Sequence, residues 1–141
     1  MRWAQVTLLT LTVIGCASRP SALEEERHRL GVDVSARTES RFGTNLYQVE
    51  VRNETGDTVT IESVAIDPLN ITDVDVRDNH QAVNVVLEPA QTTFIGVWIT
   101  ITPRSRAANN IIVDSVRVTL SYRTDTRGFL QTEIRSVGRT R

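Results

Sequence analysis

Residues 94–103 read Phe-Ile-Gly-Val-Trp-Ile-Thr-Ile-Thr-Pro. Ile95, Val97, Ile99 and Ile101 recur at every second position, and Pro103 stops the run. In an extended strand successive side chains point to opposite faces, so this period of two puts four aliphatics on one side. Phe94, Gly96 and Trp98 then fall on the other side.

The same period extends in both directions. Toward the N-terminus it is carried by Val32, Val34 and Ala36, and then by Tyr47, Val49 and Val51. Thr55-Gly56-Asp57 supplies hairpin chemistry, because glycine accepts the positive φ of a tight turn. The returning strand holds Val59 and Ile61, then Val64 and Ile66. The parity changes between them, which predicts a bulge near Glu62 and Ser63 or a strand that changes sheets. Pro68 ends it. A weaker segment carries Ile71, Val74 and Val76, and a firmer one Val83, Val85 and Leu87, stopped by Glu88-Pro89-Ala90. Beyond the polar loop of residues 104–110, one strand is built on Val116, Val118, Leu120 and Tyr122. Leu130, Ile134 and Val137 build the last.

Short strands with turns at regular spacing and no helices between them predict an all-β fold. The expected architecture is an antiparallel Ig-like β-sandwich of seven to eight strands over residues 31–141. Antiparallel pairing is favoured because each strand has one apolar and one polar face, whereas parallel strands are buried on both. The disulfide and tryptophan signature of antibody domains is absent.

The first thirty residues have a different character. Met1-Arg-Trp-Ala-Gln-Val-Thr-Leu-Leu-Thr-Leu-Thr-Val-Ile-Gly-Cys16 starts with one positive charge and continues into an apolar run that is too short to span a bilayer. This predicts an export signal over residues 1–15. Residues 16–30 then form a tether, with Ser21-Ala-Leu-Glu24 reading as a capping box that opens a short helix through Leu30. Cys16 is the chain's one cysteine, so no intrachain disulfide is available. The net charge of −1 argues against nucleic acid. Every basic residue is arginine; dispersed as they are, they read as a solvated face.

Val13-Ile-Gly-Cys16 resembles the lipobox of bacterial lipoproteins. That resemblance implies acylation at Cys16 and a domain held to a membrane by lipid. Ala17 after the cysteine implies the outer membrane, facing the periplasm. Separately, Tyr47-Gln-Val-Glu-Val-Arg-Asn53, the Thr-Gly-Asp turn and Val59-Thr-Ile-Glu-Ser-Val64 resemble the opening of many bacterial Ig-like and fibronectin-III-like modules. Val85-Val-Leu-Glu-Pro-Ala90 resembles their Leu-x-Pro-Gly turn, with alanine where glycine is usual. The resemblance implies a fold and brings no catalytic residues or cofactor.

Four groups of residues are candidates for chemistry. Asp67, Asp73, Asp75 and Asp78 are dense enough to suggest a hard cation. Asp-Val-Asp-Val alternation is also what a half-buried strand produces, and the EF-hand order fails at Arg77. His28 and His80 are the only histidines; both are expected to face solvent. A hydrolytic or metal-dependent enzyme using His80 with Asp73, Asp75 and Asp78 is the rival to a binding protein, although no glycine-framed nucleophile accompanies them. The sequons at Asn53 and Asn70 match a glycosylation pattern, which the bacterial signal makes coincidental.

Phe94 and Trp98 are the candidate partner-binding residues. Two readings stand: an exposed docking platform, or coverage by Leu23 and Leu30 of the tether or by a loop. The scarcity of aromatics weighs toward coverage. Together these observations lead to the expectation of a lipid-anchored envelope protein that binds or scaffolds and is not an enzyme. Its expected partner is an envelope assembly or peptidoglycan.

Overall fold

The computed structural model describes residues 26–38, 41–105 and 111–139. The expected signal peptide and Cys16 lie outside the described residues, as does most of the tether helix, of which Glu26 and Arg27 form the end.

The described chain is all-β. Its strands are β1 (Gly31–Ala36), β2 (Gly43–Arg52), β3 (Val59–Pro68), β4 (Val74–Arg77), β5 (His80–Leu87), β6 (Thr92–Pro103), β7 (Ser115–Arg123) and β8 (Gly128–Arg139). Hydrogen bonding orders them β4-β6-β2-β1-β8-β7-β3-β5. Two layers result, β4-β6-β2-β1 and β8-β7-β3-β5. They face each other around one core that draws Tyr47, Val49 and Ile99 from the first and Ile61, Val64 and Leu120 from the second. The groupings β1-β2-β6 and β8-β7-β3 are the A-B-E and G-F-C groupings of an Ig-like sandwich, with β4 and β5 added at the edges.

The antiparallel expectation needs one correction. β1 pairs parallel with β8, Val34 to Ala36 against Val137 to Arg139, and joins the two layers into one mixed sheet. β1 runs antiparallel to β2 along its whole length, so its last three residues serve both layers. On the far side the chain crosses between layers at Asp78-Asn79. Thr100 of β6 donates to Asp78 (3.1 Å), while the Asn79 side-chain amide donates to Asp67 of β3 (2.6 Å). Asp78 takes a positive φ of 59° at this corner.

The bulge lies where the parity change places it, between Ile61 and Ser63, and shifts register toward both β5 and β7. The β2–β3 turn is organised by Asn53, which is 0 % exposed. Its Nδ2 donates to the carbonyls of Asp57 (2.8 Å) and Leu87 (3.0 Å). Its Oδ1 accepts from the Thr55 amide (3.0 Å) and hydroxyl (2.7 Å). Its backbone also exchanges hydrogen bonds with the β5–β6 turn at Ala90 and Gln91. Ala90 occupies the glycine position of that turn at φ 65°. The sequon at Asn53 is therefore structural, with both amide hydrogens spent on the carbonyls of Asp57 and Leu87.

β8 differs most from expectation. Leu130 and Ile134 point outward, 74 % and 62 % exposed. Gln131, Glu133 and Arg135 take the inward parity, and the Glu133 side chain is 2 % exposed. The cause is what β8 meets there. Residues 28–32 enter the sandwich along this side, and their backbone is satisfied by β8 side chains. Gln131 accepts from the Leu30 amide (2.9 Å) and donates to its carbonyl (2.8 Å), while Arg135 donates to the Val32 carbonyl (2.7 Å). Glu133 pairs with Arg29 (2.6 Å) and with Arg135, and accepts from Gln131 (2.7 Å). The hydrogen bond that Arg29 donates to Glu133 raises the Arg29 pKa further above its already high value. A strand whose inner face meets peptide groups needs hydrogen-bonding side chains, since buried amides left unpaired are costly.

Candidate interaction face

β6 pairs with β2 on one side and β4 on the other, so its outward residues occupy the middle of the first layer's outer face. Phe94 is 59 % exposed and Trp98 is 51 % exposed. Between them, a Cβ built on Gly96 would stand 3.3 Å from Leu46 Cδ1. Leu46, the register partner of Trp98, therefore leans over the glycine. A side chain at position 96 would have to displace it. Phe94, Leu46 and Trp98 form one apolar stripe for that reason.

The coverage expected from the tether is corrected for Leu30. Leu30 is 1 % exposed in the core, tied through its backbone to Gln131 of the other layer, and does not reach Trp98's face. Leu23 lies outside the described residues.

Charge around the stripe is uneven. Glu50 stands opposite Phe94, and Asp33 of β1 stands opposite Glu50, so the Phe94 end is acidic. Arg52 offsets part of this from 3.9 Å. Arg77 of β4 stands opposite Thr100, beyond the Trp98 end.

The other candidates are dispersed. The Asp75 carboxylate accepts two hydrogen bonds from Arg104 (2.8 and 2.6 Å), and these hold it below the usual carboxylate range. Asp73, at φ 58°, accepts the Arg104 amide through its carbonyl. These contacts fasten β4 to the end of β6. Asp67 and Asp78 are bonded to Asn79 and Thr100 as described above. His80 is exposed at the start of β5. Among the described residues no three His, Cys, Asp or Glu side chains converge on a point that could hold a metal. His28 departs from the solvent-facing expectation. It stacks on Phe129 (5.0 Å between centroids), which stacks on Tyr122 (5.3 Å), and it pairs with Asp57 at 3.4 Å. The Tyr122 hydroxyl donates to the His28 carbonyl (2.6 Å). These rings fix the point where the chain enters the sandwich.

The second layer also carries exposed aliphatics, which sequence reasoning missed. Leu130 and Ile134 flank Thr132 on the outer face of β8, with Ser121, Thr119 and Arg117 opposite them on β7. The available signal was Gln131, Glu133 and Arg135 alternating against them. The period fits either face inward and does not say which.

No family model matches the chain, and no curated protein matches it. Among solved structures, the chain is similar to the ASH/PapD-like domain of human CEP192 (PapD-like domain 7). That match has a TM-score of 0.40 at 9 % identity, over 99 % of this chain and 98 % of that one. A protein from Archaeoglobus fulgidus matches with a TM-score of 0.40 at 12 % identity, over 77 % of this chain and 94 % of that one. A FixG-related protein from Vibrio parahaemolyticus gives 0.34 at 13 %, over 79 % and 97 %. The fold assigned above rests on the strand order and register of this chain itself.

Proposed function

We propose that the chain is an exported bacterial lipoprotein, acylated at Cys16 and held at the outer membrane facing the periplasm, whose sandwich binds or scaffolds and does not catalyse. The observation that carries the binding reading is the stripe of exposed Phe94 and Trp98 with half-buried Leu46 between them. Solvent-facing aromatics on a flat strand mark interaction sites, and tryptophan is enriched among residues that dominate interface energy. The dispersal of His80, Asp73, Asp75 and Asp78 into separate structural contacts supports binding over the hydrolytic or metal-dependent alternative. Support for the lipid comes from Val13-Ile-Gly-Cys16 and the absence of any second cysteine. Several acyl chains anchor stably where one does not.

The test has two readouts in a bacterial host. Wild-type chain takes up labelled fatty acid and Cys16→Ser does not; equal labelling of the two sinks the lipoprotein assignment. A photo-crosslinking amino acid at position 98 gives discrete adducts with an envelope protein, whereas the same residue at exposed Thr126 gives none. Indistinguishable patterns at the two positions remove the Trp98 stripe as the binding surface.

A further inference from the structure

The sheet ends in two unlike edge strands, β4 and β5. β4 has four residues, and its Asp75 is held by Arg104 at the end of β6. β5 has eight, and β3 is its one strand neighbour. An open edge presents a row of backbone donors and acceptors to any strand that meets it, so edges are ordinarily short or guarded by lysine, proline or a bulge. His80–Leu87 contains no Lys, Arg, Asp, Glu, Pro or Gly. The bulge does not guard it either. Glu62 is an extra residue of β3, since Ile61 and Ser63 face consecutive residues of β7. β5 keeps its alternation past that point: Ala82, Asn84 and Val86 are exposed, Val83 and Val85 half-buried, and Leu87 buried. The Ile66 amide donates to the Asn79 carbonyl (2.9 Å). By the same alternation, odd-numbered residues turn their backbone groups to β3, while Ala82, Asn84 and Val86 turn theirs to the free edge. There the Ala82 carbonyl accepts from the side chain of its neighbour Gln81 (3.1 Å).

Ala82-Val-Asn-Val-Val86 reads nearly the same in both directions about Asn84. A second β5 laid antiparallel with Asn84 on Asn84 sets Val83 against Val85 and Ala82 against Val86 on both sides of the centre. The two central side-chain amides each donate and accept, so they complement one another. Farther out, His80 stands against Glu88, both exposed. Gln81 against Leu87 is the unlike pair, and no like charges face each other between Asp78 and Ala90. Sliding by two residues is the smallest step that keeps the faces matched. In one direction it sets Asp78 against Glu88, and in the other it leaves His80 against Ala90.

We propose that the β5 edge receives the β5 edge of a second copy of this chain, antiparallel and centred on Asn84. The same surface serves on both copies, so the contact is isologous and closes as a two-fold dimer. Its axis passes between the two Asn84 residues, normal to the sheet, and both Phe94–Trp98 faces therefore lie on one side of the dimer. The inference concerns a surface apart from that face and does not depend on its use. Two such faces presented together would bind one partner with avidity and no new contact.

The experiment is sedimentation velocity on the full chain, produced in a bacterial host and purified in non-ionic detergent, with melting temperatures as a check on folding. Wild-type chain is expected to form a dimer that dissociates on dilution and grows no larger. Asn84→Pro removes both central hydrogen bonds at an edge position where proline is tolerated. Val86→Lys supplies the usual edge guard. Each is expected to weaken the dimer about tenfold or more at an unchanged melting temperature. Oxidation reads the register, since the Cα atoms of opposed hydrogen-bonded residues lie about 5.5 Å apart, within disulfide reach. Asn84→Cys is expected to link to itself, and Ala82→Cys and Val86→Cys to link when mixed but not alone. Wild-type chain, with Cys16, sets the baseline. Four outcomes overturn the proposal: a monomer over about two decades of concentration, assembly beyond the dimer, wild-type dimerisation in both edge variants, or self-linking of Ala82→Cys equal to that of Asn84→Cys. A monomer that photo-crosslinks from position 84 to another envelope protein gives the edge to that protein and removes the dimer, while the Trp98 reading stands. A dimer with no specific adducts at position 98 does the reverse.

Discussion

Asn53→Ala and Asn53→Asp test the turn that holds both hairpins at one end of the sandwich. Asn53 is fully buried and its side chain makes four hydrogen bonds, two as donor and two as acceptor. At about 1 kcal/mol net for each, with the Leu87 carbonyl and Thr55 amide left unpaired, alanine is expected to cost about 3–5 kcal/mol. That is a large share of the roughly 5–15 kcal/mol that holds a domain folded. It corresponds to a drop in melting temperature of about 10–20 °C. Aspartate is the sharper probe because it keeps the shape. One carboxylate oxygen would sit where Nδ2 now lies, 2.8 and 3.0 Å from two carbonyl oxygens. It is expected to cost at least as much as alanine at neutral pH. Protonation restores a donor, so the deficit of Asn53→Asp should shrink as pH falls, the direction expected of a carboxyl whose pKa is raised in the folded state. Asn70→Ala is the control. Asn70 also bridges turns, to the Ile112 carbonyl and the Asp114 amide, but it is exposed and water replaces it; the expected cost is about 1 kcal/mol or less. Urea denaturation with unchanged m-value measures all three. A wild-type-like Asn53→Asp at pH 7, or equal losses for Asn53→Ala and Asn70→Ala, would refute the reasoning.

Val118→Asp places an unpaired charge in the core and is expected to cost several kcal/mol, whereas Arg117→Asp on the wet face costs little; equal melting temperatures would mean the β7 register is wrong. Ala90→Gly relieves a left-handed alanine and is expected to gain about 0.5–1 kcal/mol, read by denaturant midpoint, with destabilisation as the contrary result. Tyr122→Phe removes the hydroxyl that holds the His28 carbonyl and is expected to cost about 1 kcal/mol and to speed amide exchange over residues 28–32. Arg104→Ala should raise the Asp75 pKa toward the usual carboxylate range, seen by NMR titration. Because the pair lowers that pKa, its contribution is present at neutral pH and is lost as pH falls through the lowered value.

What the sequence made legible follows from what a period of two encodes. In β2, β6 and β7 one parity is aliphatic and the other polar, and a wet outer face against a shared core leaves one solution. The step from Ile61 to Val64 breaks that parity by one residue, so the bulge could be placed before any register was known. The parallel closure of β1 on β8 could not, because Val34-Ser35-Ala36 carries the same alternation whether it has one neighbour or two. The outward parity of Phe94 and Trp98 was legible from Ile95 and Val97. Their exposure was not, because it depends on where Leu30 goes, and Leu30 enters the core beside β8.

In β8 alternation alone does not decide which face is buried. Its alternation was plain, but the rule that apolar residues face inward assumes a core of side chains on the inner side. There β8 meets the peptide groups of residues 28–32, and Gln131 and Arg135 are selected by hydrogen-bond geometry. With that parity spent on polar groups, Leu130 and Ile134 are forced outward. Each forgoes up to roughly 1.5–3 kcal/mol of burial within its own domain. The seam that fastens the incoming chain and the exposed Leu130–Ile134 stripe are thus two faces of one strand register. A shift of that register by one residue would abolish both together.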